Sequence, residues 1–430
     1  MKHLVFIFIF LIFLFSSISC NREESRNKNS ITYWSSNNTE EIAFAKKMVD
    51  DWNKNNPDNK VSFQPVPEGQ SSEEIILAAV VGKTTPDIYS NMWQGDVESY
   101  AKAGVLVALD TLKGFTDFIY DRCDSEVVKE ITSQDGHIYQ IPWKINPIML
   151  LYNVKIVDEI GFEKPPTDYS QFFEACKRFT KDENGDGYYD HWFSYREVIP
   201  TWWQRLFDFY PLYLGASGGA PLIKNNKADF NNKYGLEVFR FLKTLYDKKY
   251  FSRERLDQRQ DVFLSGVIAS RFTGPWDIAH TEKFKPKGFE YNFTHLPVPD
   301  DHKGPIYTYG DPKNIVIFKT CPNPELAWQF IKTMITKKSD LEFLKISSQL
   351  PRRKNLDTDP YFEEYFKDNP KMIPFAKESR FVRGTDEVLY LKEVFDLISQ
   401  EYEACVVYGK KTPEEALNDA EKAVNLLYIK

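Results

Sequence analysis

Between Asp182 and Asp190 the sequence "DENGDGYYD" places oxygen-bearing side chains at alternate positions, Asp182, Asn184, Asp186 and Asp190, with Gly187 permitting a sharp turn. This is the spacing of the first nine places of an EF-hand calcium loop, where alternate side chains and the seventh residue's carbonyl, here that of Tyr188, converge on a hard cation. Place twelve departs from the pattern. Phe193 stands where a bidentate Glu is usual, so Asp190 or a water has to complete the sphere. The same residues also read as a solvated Asn-Gly-Asp-Gly turn whose side chains satisfy local backbone groups. The role expected of the loop is structural Ca2+ binding that raises stability without touching other chemistry.

Other reactive patterns fail on spacing. "VGKTTPD" (81–87) looks like the end of a phosphate-binding loop, but Leu77 stands where the first glycine of the cradle is needed. The six histidines form neither an HExxH pair nor any close pair, and no GxSxG elbow occurs. Cys123, Cys176, Cys321 and Cys405 lie far apart without CxxC spacing, which leaves zinc and dithiol chemistry unsupported and predicts isolated thiols. A net charge of −7 excludes a nucleic-acid surface of the counterion-releasing kind. Aromatic residues make up 15% of the chain and include nine Trp, more than a core requires, so flat apolar ligand faces have rings on which to stack.

Cys20 has a different context. Lys2 and His3 precede an apolar run, Leu4 to Phe15, too short to span a hydrocarbon core of roughly 30 Å comfortably, so the run reads as an export signal. Ile18, Ser19 and Cys20 resemble a bacterial lipobox, although Ser17 replaces its usual leucine. In such signals the cysteine is lipidated and becomes residue one. The alternative is an ordinary cleaved signal with an incidental cysteine. Residues 1–19 are therefore expected to be a lipoprotein signal peptide and 20–30 a lipidated cysteine with a polar tether that cannot bury enough apolar surface to order itself.

These groups need elements to position them. Roughly 410 residues after the leader are too many for one core and predict at least two domains. "ITYW" (31–34) reads as a buried strand, followed by a helix with Ile42, Ala45, Met48, Val49 and Trp52 on one face and Asn38 with Glu41 at its start. "KVSFQPV" (60–66) alternates as a strand, and helix, strand and helix recur through 75–81, 86–90 and 96–103. The economical fold is α/β, with a mostly parallel sheet covered by helices.

Several segments in order resemble the extracellular solute-binding proteins of ABC importers, family 1, the maltose- and oligosaccharide-binding type. They are "VDDWNKNNPDNKVSFQPV", "TTPDIYS" with "YAKAGVLVALD", "IPWKINPIMLLYNVKIVDEIGFEKPPTDYSQFFEACKRFT", "FLSGVIASRFTGPWD" and "SQLPRRKNL". The resemblance implies a two-lobed periplasmic-binding-protein fold (type II-like), with ligand held between closing lobes. Crossings are expected near Pro142 to Pro147, Gly304 and Lys337, giving an N-terminal lobe of 31–142 plus 305–337 and a C-terminal lobe of 143–304 plus 338–430. It implies a monomeric, exported, lipid-anchored substrate-binding protein, not an enzyme. It would capture a sugar or oligosaccharide, or a phosphorylated polyol, for ABC permease transmembrane subunits. Some relatives of this type carry a calcium loop after the helix corresponding to the one preceding Asp182. A ligand-sensing lipoprotein serving a receptor is the alternative, and a polysaccharide-degrading enzyme the least favoured.

A sugar presents apolar C–H faces rimmed by hydroxyls, which suits indole and phenol rings beside planar polar groups. Trp276, after Gly274-Pro275, takes the place where the family puts a stacking aromatic, or is a core tryptophan. Trp93 and Gln94 follow a strand on the side where ligands gather, as do Ser36 and Asn37. Trp143 lies at the first crossing, facing either ligand or hinge. Trp202 and Trp203 are adjacent on an expected helix and would face different ways, with Trp203 favoured. In "TYGDPKN", Tyr309, Gly310 and Asp311 offer a ring, a close backbone approach and a carboxylate, or form an ordinary turn. Arg353, or Arg352, offers a forked donor or is simply solvated.

Overall fold

The computed structural model describes residues 28–67, 71–199, 201–256 and 259–429. Cys20 and the leader before it lie outside the described residues. Among those described, no helix is long and apolar enough to cross a membrane.

The first lobe is built on a six-stranded sheet in the spatial order β13 (Leu350–Pro351), β4 (Ile141–Ile145), β12 (Lys313–Ile317), β3 (Ile88–Trp93), β1 (Ser30–Ser35), β2 (Lys60–Pro65). β1 pairs in parallel with β2 and β3, whereas β12 and β13 pair antiparallel, so the sheet is mixed where a mostly parallel one was expected. Ile31, Tyr33 and Ser35 alternate inward along β1; β3, in mid-sheet, is buried throughout. The helix Thr39–Asn55 starts where Asn38 accepts the N–H groups of Glu40 and Glu41. Its buried face holds Phe44, Ala45, Met48, Val49 and Trp52. Glu41, rather than Ile42, is the inward residue of the first turn.

The second lobe carries a four-stranded sheet in the order β10 (Tyr291–Thr294), β5 (Met149–Asn153), β9 (Ile268–Thr273), β6 (Trp192–Ser194). A hairpin of β7 (Ile223–Lys224) and β8 (Lys227–Ala228) and a helical layer including Phe209–Ser217, Lys233–Asp247, Leu391–Tyr402 and Pro413–Leu427 complete it. Among the described residues Cys123, Cys176, Cys321 and Cys405 are all buried and none is joined in a disulfide.

Three strands of chain connect the lobes. The first runs from β4 to β5 through Asn146 and Ile148, whose N–H groups donate to the carbonyls of Gly310 and Tyr309. The second contains β11 (Thr308–Tyr309), which pairs with β14 (Val382–Arg383). The third leaves the first sheet after β13. The lobe boundaries therefore differ from 142/143 and 337/338. β4 lies wholly in the first sheet, and the helix Lys337–Ser347 packs Phe343 against Phe44 and Trp143 at centroid distances of 5.1 and 4.9 Å, which carries the first lobe on to Pro351. An amphipathic helix shows in sequence that it has an apolar face, but not which lobe covers it.

Candidate functional site

A cavity of about 620 Å3 lies between the lobes. Its first-lobe wall is made by Ser72, Glu73 and Glu74 at the start of the helix Ser72–Gly82, by Trp93 at the end of β3, and by Asp311 and Lys313 leading into β12. Its second-lobe wall is made by the 3-10 turn Trp202–Leu206 with Phe207, and by Lys392 and Asp396 on the helix Leu391–Tyr402.

Rings meet across it. Trp93 and Trp202 are tilted against each other with centroids 4.8 Å apart. Phe207 is met edge-on by Trp203 at 6.4 Å, Trp276 at 6.3 Å and Tyr309 at 6.2 Å. Trp93 Nε1 donates to the Tyr309 hydroxyl (3.3 Å), which donates in turn to Asp311 Oδ1 (3.4 Å), so the buried phenol orients both a ring and a carboxylate of the wall. Trp203 and Trp276 stay 40% and 38% exposed, leaving ring faces free for a ligand. A Cβ at Gly274 would strike the Trp276 ring at 2.2 Å, so the glycine is what lets this ring fold back beside Phe207.

The polar groups are strongly charged. Lys313 Nζ lies 3.3 Å from Glu73 and 3.9 Å from Asp311. Burial would push the Glu73 carboxyl up, but the Lys313 ammonium and local hydrogen bonds more than reverse this and hold it below the usual range. Burial likewise opposes the charge on Lys313, and Glu73 and Asp311 override it. Asp96, behind this pair, is pushed up to about 7 by burial and then by Glu73. Lys392 lies 5.8 Å from the Trp202 ring.

Of the residues singled out from sequence, Trp93, Trp203 and Asp311 line the cavity, while Trp276 and Tyr309 reach it through Phe207. Trp202, on the same 3-10 turn, lines it together with Trp203. The others lie elsewhere. Trp143 is 1% exposed and packed by Phe44 and Phe343, a core residue with no face for a ligand. Gln94 is buried and donates to Glu130 and the Thr385 carbonyl. Gly310 makes its close approach to Val382 and Ile145, where a Cβ would sit at 2.0 and 2.7 Å, so it serves the crossing strands. Arg353 and Arg122 both bind the buried Asp340, each at 2.7 Å, and Arg352 pairs with Glu130 at 3.0 Å. Ser36 donates to Glu41 (2.7 Å), and Asn37 is exposed. Glu73, Phe207, Lys313, Lys392 and Asp396 had no signal in a motif, since they gather from four separate segments.

In the loop at 182–190 the side-chain oxygens face their own backbone. Asp182 accepts from Gly185 and Gly187, Asn184 from Asp186, Asp186 from Tyr188, and Asp190 from Glu183, all at 2.7–2.9 Å. Among the described residues no three His, Cys, Asp or Glu side chains converge as a metal-holding group.

A family model described as bacterial extracellular solute-binding protein matches residues 47–374. The maltotriose-binding protein of Pyrococcus abyssi is 21% identical over 351 residues, covering 79% of this chain and 71% of its own. An uncharacterized protein of Listeria monocytogenes superposes with a TM-score of 0.80 at 26% identity, covering 93% of this chain and 99% of that one. The cyclic alpha-maltosyl-1,6-maltose binding protein of Arthrobacter globiformis gives 0.77 at 21% identity, covering 93% and 98%.

Proposed function

The chain belongs to the bacterial extracellular solute-binding protein family, and from that premise we propose that it captures a sugar or oligosaccharide in the interlobe cavity and delivers it to the transmembrane subunits of an ABC importer. The observation that carries this reading is the set of tryptophan faces from both lobes turned toward one cavity beside Asp311, Glu73 and Lys313. Indole faces cover the C–H faces of a pyranose, and charged planar groups make short hydrogen bonds to its hydroxyls. The relatives named for maltotriose and for a cyclic maltosyl-maltose are consistent with it. The family is one of binding proteins, and no catalytic role is proposed for the carboxylates of the wall.

The test is a melting-temperature screen of the purified protein against sugars, oligosaccharides and sugar phosphates, because a ligand that binds only the folded state must raise the transition. A saccharide hit is expected, with affinity reduced about tenfold to a hundredfold in Trp276→Ala. A screen in which no sugar or oligosaccharide shifts the transition overturns the reading. Membrane attachment through a lipid on Cys20 belongs to the same proposal. Cys20→Ser is expected to release the protein from the membrane or to leave an uncleaved precursor. Retention of a correctly cleaved Cys20→Ser protein would remove the anchor.

A further inference from the structure

Behind the 3-10 turn that presents Trp202 and Trp203, the same turn sends Arg205 inward. Arg205 is 3% exposed on its side chain, and Nη2 pairs with Asp208 at 2.9 Å, itself 2% exposed. A second guanidinium, that of Arg196, donates through Nη1 to the Phe272 carbonyl at 3.3 Å. Both arginines lie within electrostatic reach of Asp208, Tyr246 and Tyr402.

Neither the donors nor the charges balance. Arg205 Nε, Arg205 Nη1 and Arg196 Nε are buried and meet no acceptor among the described residues. Tyr402 covers Arg205 at 3.7 Å from Cζ to the ring centroid, but stacking engages the face of a guanidinium and leaves its in-plane N–H groups unsatisfied. Asp208 is committed to Arg205 and to the Phe209 N–H. The two tyrosines stay neutral, because burial raises both hydroxyls far above the physiological range. Glu403, within electrostatic reach of Arg205, is only partly buried, and burial raises its carboxyl. Two guanidinium charges thus share one buried carboxylate. Buried charge without a counter-charge, and buried N–H without an acceptor, are both costly.

We propose that a small inorganic anion of the chloride type binds here, accepting from Arg196 Nε and the free edge of Arg205. It would neutralise the excess charge and brace the turn that carries the cavity's two adjacent tryptophans. Arg196 is only partly buried, which gives an ion a way in.

Two measurements on the purified full chain test this. The first is the melting temperature at constant ionic strength as gluconate, too large for the site, is replaced by chloride or bromide. A saturable rise of about 1–3 °C is expected, and it is expected to vanish in Arg196→Gln. The second is anomalous scattering from crystals of the unaltered protein grown in bromide, with a peak expected within hydrogen-bond distance of both guanidinium groups; this reads the site even where the variant folds poorly. Equal melting temperatures in gluconate and halide overturn the proposal, leaving water as the acceptor. So does a halide response that survives Arg196→Gln, or a bromide map without that peak.

Discussion

Trp93 and Trp202 belong to different lobes and touch, with centroids 4.8 Å apart. Trp93 ends a strand of the first sheet, whereas Trp202 opens a turn fixed to the second lobe by Leu206, Arg205 and Asp208. Opening the lobes must part these rings. If the pair helps hold the closed form, Trp93→Ala and Trp202→Ala should each weaken saccharide binding about tenfold to a hundredfold. Their effects should also fail to add by about 0.5–1.5 kcal/mol in a double-mutant cycle followed by calorimetry. Strict additivity would show that each ring acts on ligand alone.

Glu41 and Lys144 form a fully buried ion pair in the first lobe. Burial by itself would push the Glu41 carboxyl up; the Lys144 ammonium, with Ser36 and Gln349 donating, more than reverses this. Lys144→Met leaves that carboxylate without its counter-charge and is expected to cost about 3–5 kcal/mol in urea denaturation. Adding Glu41→Gln should restore most of the loss. A single variant as stable as the parent would show that the pair is not ionised.

Asp386 and Glu387 sit where the segment after β14 meets both lobes. Asp386 accepts from Leu222 and Ile223 at 2.8 and 2.9 Å; Glu387 accepts from Gln140 at 3.1 Å. Burial pushes Asp386 up to about 7 and Glu387 well above the carboxylate range. The folded protein therefore keeps protons that the unfolded chain sheds near pH 4. For Asp386 the stabilising contribution is complete below about pH 4 and is lost as pH rises through about 7. Melting temperature should fall less between pH 5 and pH 8 in Asp386→Asn, which keeps an acceptor for both N–H groups, than in the parent. Parallel pH profiles would contradict the assignment.

Calcium at Asp182 to Asp190 is proposed from the alternation of oxygen-bearing side chains. Rotating Asp182 and Asp186 away from their backbone N–H partners is the change that binding would require. A higher melting temperature in calcium than in chelator, absent in Asp186→Ala, is the expected result. With no calcium-dependent shift in the parent protein, the segment is a hydrogen-bonded turn.

The sequence by itself determined what is local. The strand at Ile31 to Trp34, the helical face from Ala45 to Trp52 and its Asn38 cap follow from neighbours in the chain, and they reappear in the structure. The ordered segments determined the two-lobed class, and the surplus of tryptophan pointed to stacking surfaces. Tertiary structure decided which aromatic meets which space. Trp143 and Trp93 both end up almost fully buried, yet one is sealed between Phe44 and Phe343 while the other meets a ring of the opposite lobe. Arg353 and Lys313 are both partly buried cations, but Arg353 is held by Asp340 in the core and Lys313 by Glu73 at the cavity wall. A side chain's type fixes what it can bond. Its partner is fixed by the packing of segments up to some hundreds of residues apart, and only the folded chain brings Glu73, Trp202, Lys313 and Lys392 to one wall.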